Sequence, residues 1–91
     1  MLELEMCVSN QLGLHARAAA HLVRLASRFD CCIMLRRNDT SVSANAKSIL
    51  SVLHLAAGCG VRLTVTADGI DEQDAVEQIF RLFEDKFGEG S

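Results

Sequence analysis

The sequence predicts an α+β fold, an open-faced sandwich of order βαββαβα in which helices cover one face of a four-stranded antiparallel sheet. Three observations carry that expectation. Residues 2–8 and 61–67 alternate apolar and polar side chains with the period of a half-buried strand. Residues 16–29 and 71–87 instead repeat apolar side chains at helical spacing. A chain of 91 residues, 49% of them apolar and none proline, is long enough for one modest aliphatic core and too short for two domains. Residues 1–91 are read as a single domain whose last residues, 88–91, fray.

The first strand places Leu2, Leu4, Met6 and Val8 on one side and Glu3, Glu5 and Cys7 on the other. A turn over residues 9–14 leads into a helix over 16–29. Its inner stripe is Ala18, Leu22, Leu25 and Phe29, and its outer stripe is Arg17, His21, Arg24 and Arg28. Cys31–Arg37 alternates again, Asn38 and Asp39 make a turn, and Thr40–Ala44 returns as a short polar strand, so the pair reads as a hairpin. A short helix over 47–55 follows, with Ser48 as a candidate N-cap because its hydroxyl can accept from a first-turn amide. It stops before Gly58-Cys59-Gly60. The fourth strand sets Val61, Leu63, Val65 and Ala67 against Arg62, Thr64 and Thr66. After Gly69, the acidic residues Asp71, Glu72 and Asp74 complement the positive end of a last helix, whose apolar face is Ala75, Val76, Ile79, Phe80, Leu82, Phe83 and Phe87.

A net charge of −3 argues against general nucleic-acid binding, which needs a surplus of cations to displace counterions from phosphates. The charge is unevenly spread, however. Residues 10–62 carry seven bases against two acids, while residues 63–91 carry two bases against eight acids. One part of the molecule is therefore suited to face an anion. No apolar run approaches the roughly 20 residues that cross a bilayer, and Met1-Leu2-Glu3 does not open like a secretion signal. A reducing, cytoplasmic setting is expected, with no stable membrane insertion. The four cysteines lack CxxC or paired Cys/His spacing and are read as buried or half-buried small hydrophobes, with no metal site.

Gly13-Leu14-His15-Ala16-Arg17 is the informative stretch, because it sets a histidine where a turn feeds the first helix. The unpaired amides there stabilise a phosphate, and the same field disfavours a protonated ring, keeping a nucleophilic nitrogen free. Arg17 adds a planar donor fork for phosphate oxygens. An exposed histidine that merely starts a helix is the competing account of His15. His21 and His54 are read as a solvated side chain and a helix-end residue.

This stretch resembles the active-site signature of the histidine-containing phosphocarrier (HPr) family of the bacterial phosphoenolpyruvate-dependent phosphotransferase system. The resemblance spans essentially the whole chain, since Lys47-Ser48-Ile49-Leu50 and Ala67-Asp68-Gly69 match two further segments in order. It implies that His15, through Nδ1, accepts a phosphoryl group from phosphorylated enzyme I and passes it to an enzyme IIA-type domain. Arg17 would hold the phosphate, and no cofactor or metal is called for. Such a protein is a phosphoryl carrier in a sugar-transport relay rather than a free-standing enzyme, and a monomer is expected. Ser48 matches the residue that some family members present to HPr kinase/phosphorylase, the alternative being a plain N-cap. Ile49, Leu50, Val52 and Arg24 would form the partner-docking face, with Ile49 and Val52 equally able to be core residues. The chain departs from the family pattern in three places: Ala18 replaces a common proline, residues 39–45 run about two residues longer, and Ser51 stands where many kinase-recognised members have glycine. Two other functions fit the same residues: a regulatory paralogue, of the nitrogen branch or of catabolite regulation, that binds partners through Arg17, Ile49 and Leu50, and a small metal-binding domain using its cysteines.

Overall fold

The computed structural model describes residues 1–89. Strands β1 (Leu2–Cys7), β2 (Cys32–Arg37), β3 (Ser43–Asn45) and β4 (Arg62–Asp68) alternate with helices α1 (Ala16–Ala26), α2 (Ile49–His54) and α3 (Glu72–Glu84), and a 3-10 turn spans Lys86–Gly88. The expected order βαββαβα is the observed one. All pairings are antiparallel, and the strands lie in the order β1-β4-β2-β3.

The register puts one set of side chains under the helices. Met6, Ile33, Leu35, Ala44, Leu63, Val65 and Ala67 are buried there, opposed by Ala18, Ala19, Leu22, Ala75, Val76, Ile79 and Phe83 from α1 and α3. Full burial of a Leu, Ile or Val contributes about 1.5–3 kcal/mol, so this shared face is what holds the layers together. The other face of the sheet has no helix over it and carries polar groups. There Glu5 accepts from Arg62 at 3.0 Å and from Asn38 at 2.7 Å, and Asn38 in turn accepts from Thr64 at 2.7 Å.

Several boundaries differ from the periodicity. Helix α1 ends at Ala26 rather than Phe29: the Ser27 amide still makes a helical bond to Val23, but those of Arg28 and Phe29 turn to the carbonyls of Leu25 and Ala26, tightening the last turn while Phe29 still reaches the core. Strand β3 begins at Ser43 rather than Thr40. The extra residues are spent on a turn closed by the Ser41 amide donating to the Arg37 carbonyl at 2.8 Å and the Arg37 amide to that of Val42 at 2.9 Å, with an Arg37–Asp39 ion pair at 2.7 Å and Ser41 left-handed at φ 62°. The cysteine expectation holds for Cys31 alone. Cys7 and Cys32 alternate onto the uncovered face and Cys59 sits in a turn, so those three are exposed and all four are free thiols.

Asp71 stands at the start of α3 but does not cap it. Its carboxylate accepts from the amides of Asp30 at 2.7 Å and Cys31 at 2.9 Å, tying the loop after α1 to the start of α3. Glu72 accepts from the Gly69 amide, ahead of the helix, at 3.1 Å. Gly69, at φ 156°, lies so close to that loop that a Cβ would stand 2.6 Å from Cys31 Cα. At the far end, Phe87 is buried against Phe83 with ring centroids 4.9 Å apart. That anchor turns the chain back over α1, so Gly88 lies in the 3-10 turn and Glu89 returns to the molecule, while the rest of the expected frayed tail, residues 90–91, lies outside the described residues.

Candidate functional site

His15 is the N-cap of α1, with extended backbone (φ −77°, ψ −176°) and its carbonyl accepting the first helical bond, from Ala19, at 2.8 Å. The turn before it is fixed from two sides. Gly13 is left-handed at φ 70°, and the Leu14 amide donates to Ala57 at 2.8 Å, beyond α2. Ala18, where a proline is common in the resembled family, is fully buried in the first turn, where its small side chain meets the core.

The two ring nitrogens of His15 meet groups of opposite kind. Nδ1 accepts from the Arg17 amide at 3.4 Å, while Nε2 lies 2.5 Å from Glu89 Oε2. An ionised carboxylate only accepts, so Nε2 carries the proton and Nδ1 keeps its lone pair toward the helix N-terminus. Glu89 is held in that state. Its carboxyl lies below the usual glutamate range chiefly because the Asn10 side-chain amide donates to it, with His15 and Arg17 adding to the effect. Asn10 is fully buried and uses its amide on both Glu89 Oε1 at 2.9 Å and the Gly13 carbonyl at 2.8 Å, leaving its own Oδ1 unpartnered.

The ring is 31% exposed and opens into a depression of about 650 Å³ lined by Gln11, Leu12, Ala16, Arg17, Gly88 and Glu89. Arg17 stands beside Nδ1 at the mouth of this space. An anion seated there has the N-terminus of α1, the Arg17 side chain that lines the space and the His15 ring within reach.

The family model described as "PTS HPr component phosphorylation site" matches residues 2–85. The chain belongs to the HPr family. It is 44% identical over 90 residues to the phosphocarrier protein HPr of Cupriavidus necator, covering 99% of each chain. With that of Treponema pallidum it shares 50% over 82 residues, covering 90% of this chain and 91% of the other. The crystal structure of HPr-C-His from Thermoanaerobacter tengcongensis superposes with a TM-score of 0.91 at 37% identity, covering 98% of both chains. The open-faced sandwich is thus the HPr fold, and membership implies partners of the phosphotransferase system. Among the described residues, no helix is long and apolar enough to cross a membrane.

The other expected HPr residues divide into three groups. Ser48 caps α2 as foreseen, its Oγ accepting from the Ser51 amide at 3.4 Å. Ser51, the departure from glycine, accepts from the Asn45 amide at 2.9 Å and so fastens α2 to the end of β3. Ile49 and Leu50 are exposed at 41% and 78%. Val52 corrects the expectation: it is fully buried on the inner side of α2, where no partner reaches it. Leu53 and Leu12, passed over in the sequence, are further exposed apolar residues. Their signal was weak, since one is a leucine in a turn and the other differs from its helical neighbours only in facing outward. Arg24 is exposed but lines a separate depression with His21, Leu25, Arg28 and Leu82, about two and a half turns along α1 from His15. His21 is half-buried, its Cε1 close to Gly88, rather than solvated. Glu89 went unseen because nothing local in the sequence links it to a residue 74 positions earlier.

Proposed function

We propose that the protein is a phosphocarrier that takes a phosphoryl group from phosphorylated enzyme I onto His15 Nδ1 and passes it to an enzyme IIA-type domain. The observation that carries the reading is the placement of His15 Nδ1 at the start of α1, facing the Arg17 amide, with the ring open to a depression that Arg17 also lines. The Nδ1 lone pair forms the new bond to phosphorus as the donor's bond breaks and its electron pair leaves with the donor. First-turn amides and Arg17 take the phosphoryl oxygens. A phosphoramidate stores the group in transferable form, so the chain's task is positioning. Arg17 is the phosphate partner, and Ile49 and Leu50, with Leu12 and Leu53, form the apolar part of the docking face. The chain acts as a monomer in the cytoplasm.

Ser48 serves this relay as a brake where HPr kinase/phosphorylase is present. Its phosphate would add about two negative charges beside Ile49 and Leu50, on the face that enzyme I must approach. The test of the main reading is intact mass after incubation with phosphoenolpyruvate, magnesium and enzyme I. One acid-labile phosphoryl group is expected, lost in His15→Ala. A normal gain in that variant, or none in the parent chain, overturns the reading in favour of a regulatory binding protein.

A further inference from the structure

We propose that Glu89 is a positioning residue for phosphoryl transfer: it holds the proton on His15 Nε2 and compensates the positive charge that the ring acquires when Nδ1 is phosphorylated. The proposal rests on the phosphocarrier reading and extends it to a residue at the other end of the chain.

Three features of the contact support this role. Its direction is the first: Glu89 Oε2 meets Nε2, while Nδ1 faces the Arg17 backbone amide, so the carboxylate does not occupy the nitrogen that takes the phosphoryl group. The second is how the carboxylate is built in. Its side chain is only 11% exposed, and Oε1 is gripped by Asn10, which is itself fully buried and bound to the carbonyl of Gly13, two residues before His15. A surface ion pair swings freely, whereas this one shares a fixed frame with the backbone that carries the histidine. The third is the route of the chain. Burial of Phe87 beneath the 3-10 turn returns the backbone to α1, so Glu89 arrives through core packing rather than through the contact itself.

The chemistry follows from electron accounting. A neutral ring with hydrogen on Nε2 attacks phosphorus through the Nδ1 lone pair, and the donor leaves with the electrons of the broken bond. No proton departs, so the ring now bears both phosphorus and hydrogen and carries a positive charge. That charge is shared onto Nε2, against the carboxylate. Helix α1 opposes a cation at its N-terminus, and Glu89 supplies the compensation that the helix does not. Relaying the group to the next acceptor reverses the change.

The experiment compares the parent chain with Glu89→Gln and Glu89→Asp, each checked for an unchanged far-UV spectrum and melting curve. Nitrogen-15 spectra of the unphosphorylated His15 ring report the tautomer without any phosphotransfer partner. Single-turnover transfer from phosphorylated enzyme I, at varied carrier concentration, separates binding from chemistry. In Glu89→Gln, hydrogen is expected to redistribute between the two ring nitrogens, and the saturated transfer rate to fall about tenfold, as when a group that orients an imidazole is lost. Half-saturation should be unchanged, and Glu89→Asp should recover part of both signals. An unaltered tautomer in Glu89→Gln overturns the proposal, as does a change confined to half-saturation. If the parent chain takes no phosphoryl group, the carrier reading fails, while the nitrogen-15 comparison still decides whether Glu89 sets the ring.

Discussion

The amide of Leu14 donates to the carbonyl oxygen of Ala57 at 2.8 Å, so the backbone just before His15 is stitched to the loop that follows α2. The close approach leaves no room for a side chain on the neighbouring residue. A Cβ at Gly13 would stand 2.7 Å from both Ala57 O and Gly58 Cα, backbone atoms that cannot rotate away, at a φ of 70° that disfavours any residue with a Cβ. Gly13→Ala is expected to cost about 1–3 kcal/mol and to slow phosphoryl acceptance, because relief of the clash must move His15. Thermal melting and the acceptance rate check the two effects together.

Val52 and Leu50 occupy one short helix and predict opposite outcomes. Val52→Ala empties a fully buried site and should lower stability by about 2 kcal/mol with little change in transfer once the protein is folded. Leu50→Ala removes an exposed side chain and should leave stability within about 0.5 kcal/mol while raising the concentration of carrier needed to saturate enzyme I. Urea unfolding and transfer kinetics on the pair separate core from docking face.

Ser48 has two measurable duties. Ser48→Ala removes an N-cap acceptor and should cost about 1 kcal/mol or less, given the 3.4 Å contact. Ser48→Asp keeps a capping oxygen but adds charge beside Ile49, so the helix should persist while transfer from enzyme I slows. Unchanged kinetics in Ser48→Asp would remove the proposed brake.

Acid should loosen the join between α1 and α3. The Asp71 carboxyl is held below its ordinary value of 3.8, first by the Asp30 amide and then by Cys31. Its folded value therefore lies below its unfolded one, so the stabilisation is complete above about 3.8 and is lost as pH falls through the folded value. Urea midpoints measured from pH 7 down to 3 should drop at the acid end, and Asp71→Asn should be less stable at neutral pH with a flatter acid limb. A parallel pair of curves would count against this carboxylate as the cause.

The thiols offer a further check. Burial pushes the Cys31 thiol up to about 11, with the Asp71 carboxylate adding to the shift, whereas Cys7, Cys32 and Cys59 are exposed. An alkylating reagent at pH 8 should modify three thiols of the native protein promptly and the fourth only after unfolding, with peptide mapping assigning the slow one to Cys31.

The parts of this fold that were legible in the sequence are those set by local repetition. Alternation at residues 61–67 and the helical stripes of α1 and α3 reflect a face that must be buried, whereas along residues 2–8 only Met6 and Val8 are buried and Leu2 and Leu4 stay exposed near the strand's start. The His15 site was legible for the same reason, since its histidine, arginine and helix start are neighbours in the chain. What periodicity does not encode is which distant group arrives. Val52 and Leu53 are adjacent apolar residues, and only the position of the core tells one from the other. Asp71 reads as one of three acids that complement a helix start, and periodicity does not show that its carboxylate binds the loop at Asp30 and Cys31. Glu89 carries no local signal at all, because Phe87 and the 3-10 turn deliver it across the molecule.

The pairing of β1 with β4, Leu2 opposite Ala67 and Cys7 opposite Arg62, has a consequence for how the chain is made. A growing chain releases β1 and α1 from the ribosome long before either has anything to join. The β2–β3 hairpin and α2 can form from neighbours, but the first strand must wait for β4 to emerge, and the histidine for a glutamate translated 74 codons later. Non-local closure of this kind slows folding relative to a helical bundle of equal length. The site at the junction of the first strand and first helix thus begins early in translation and is completed almost at its end.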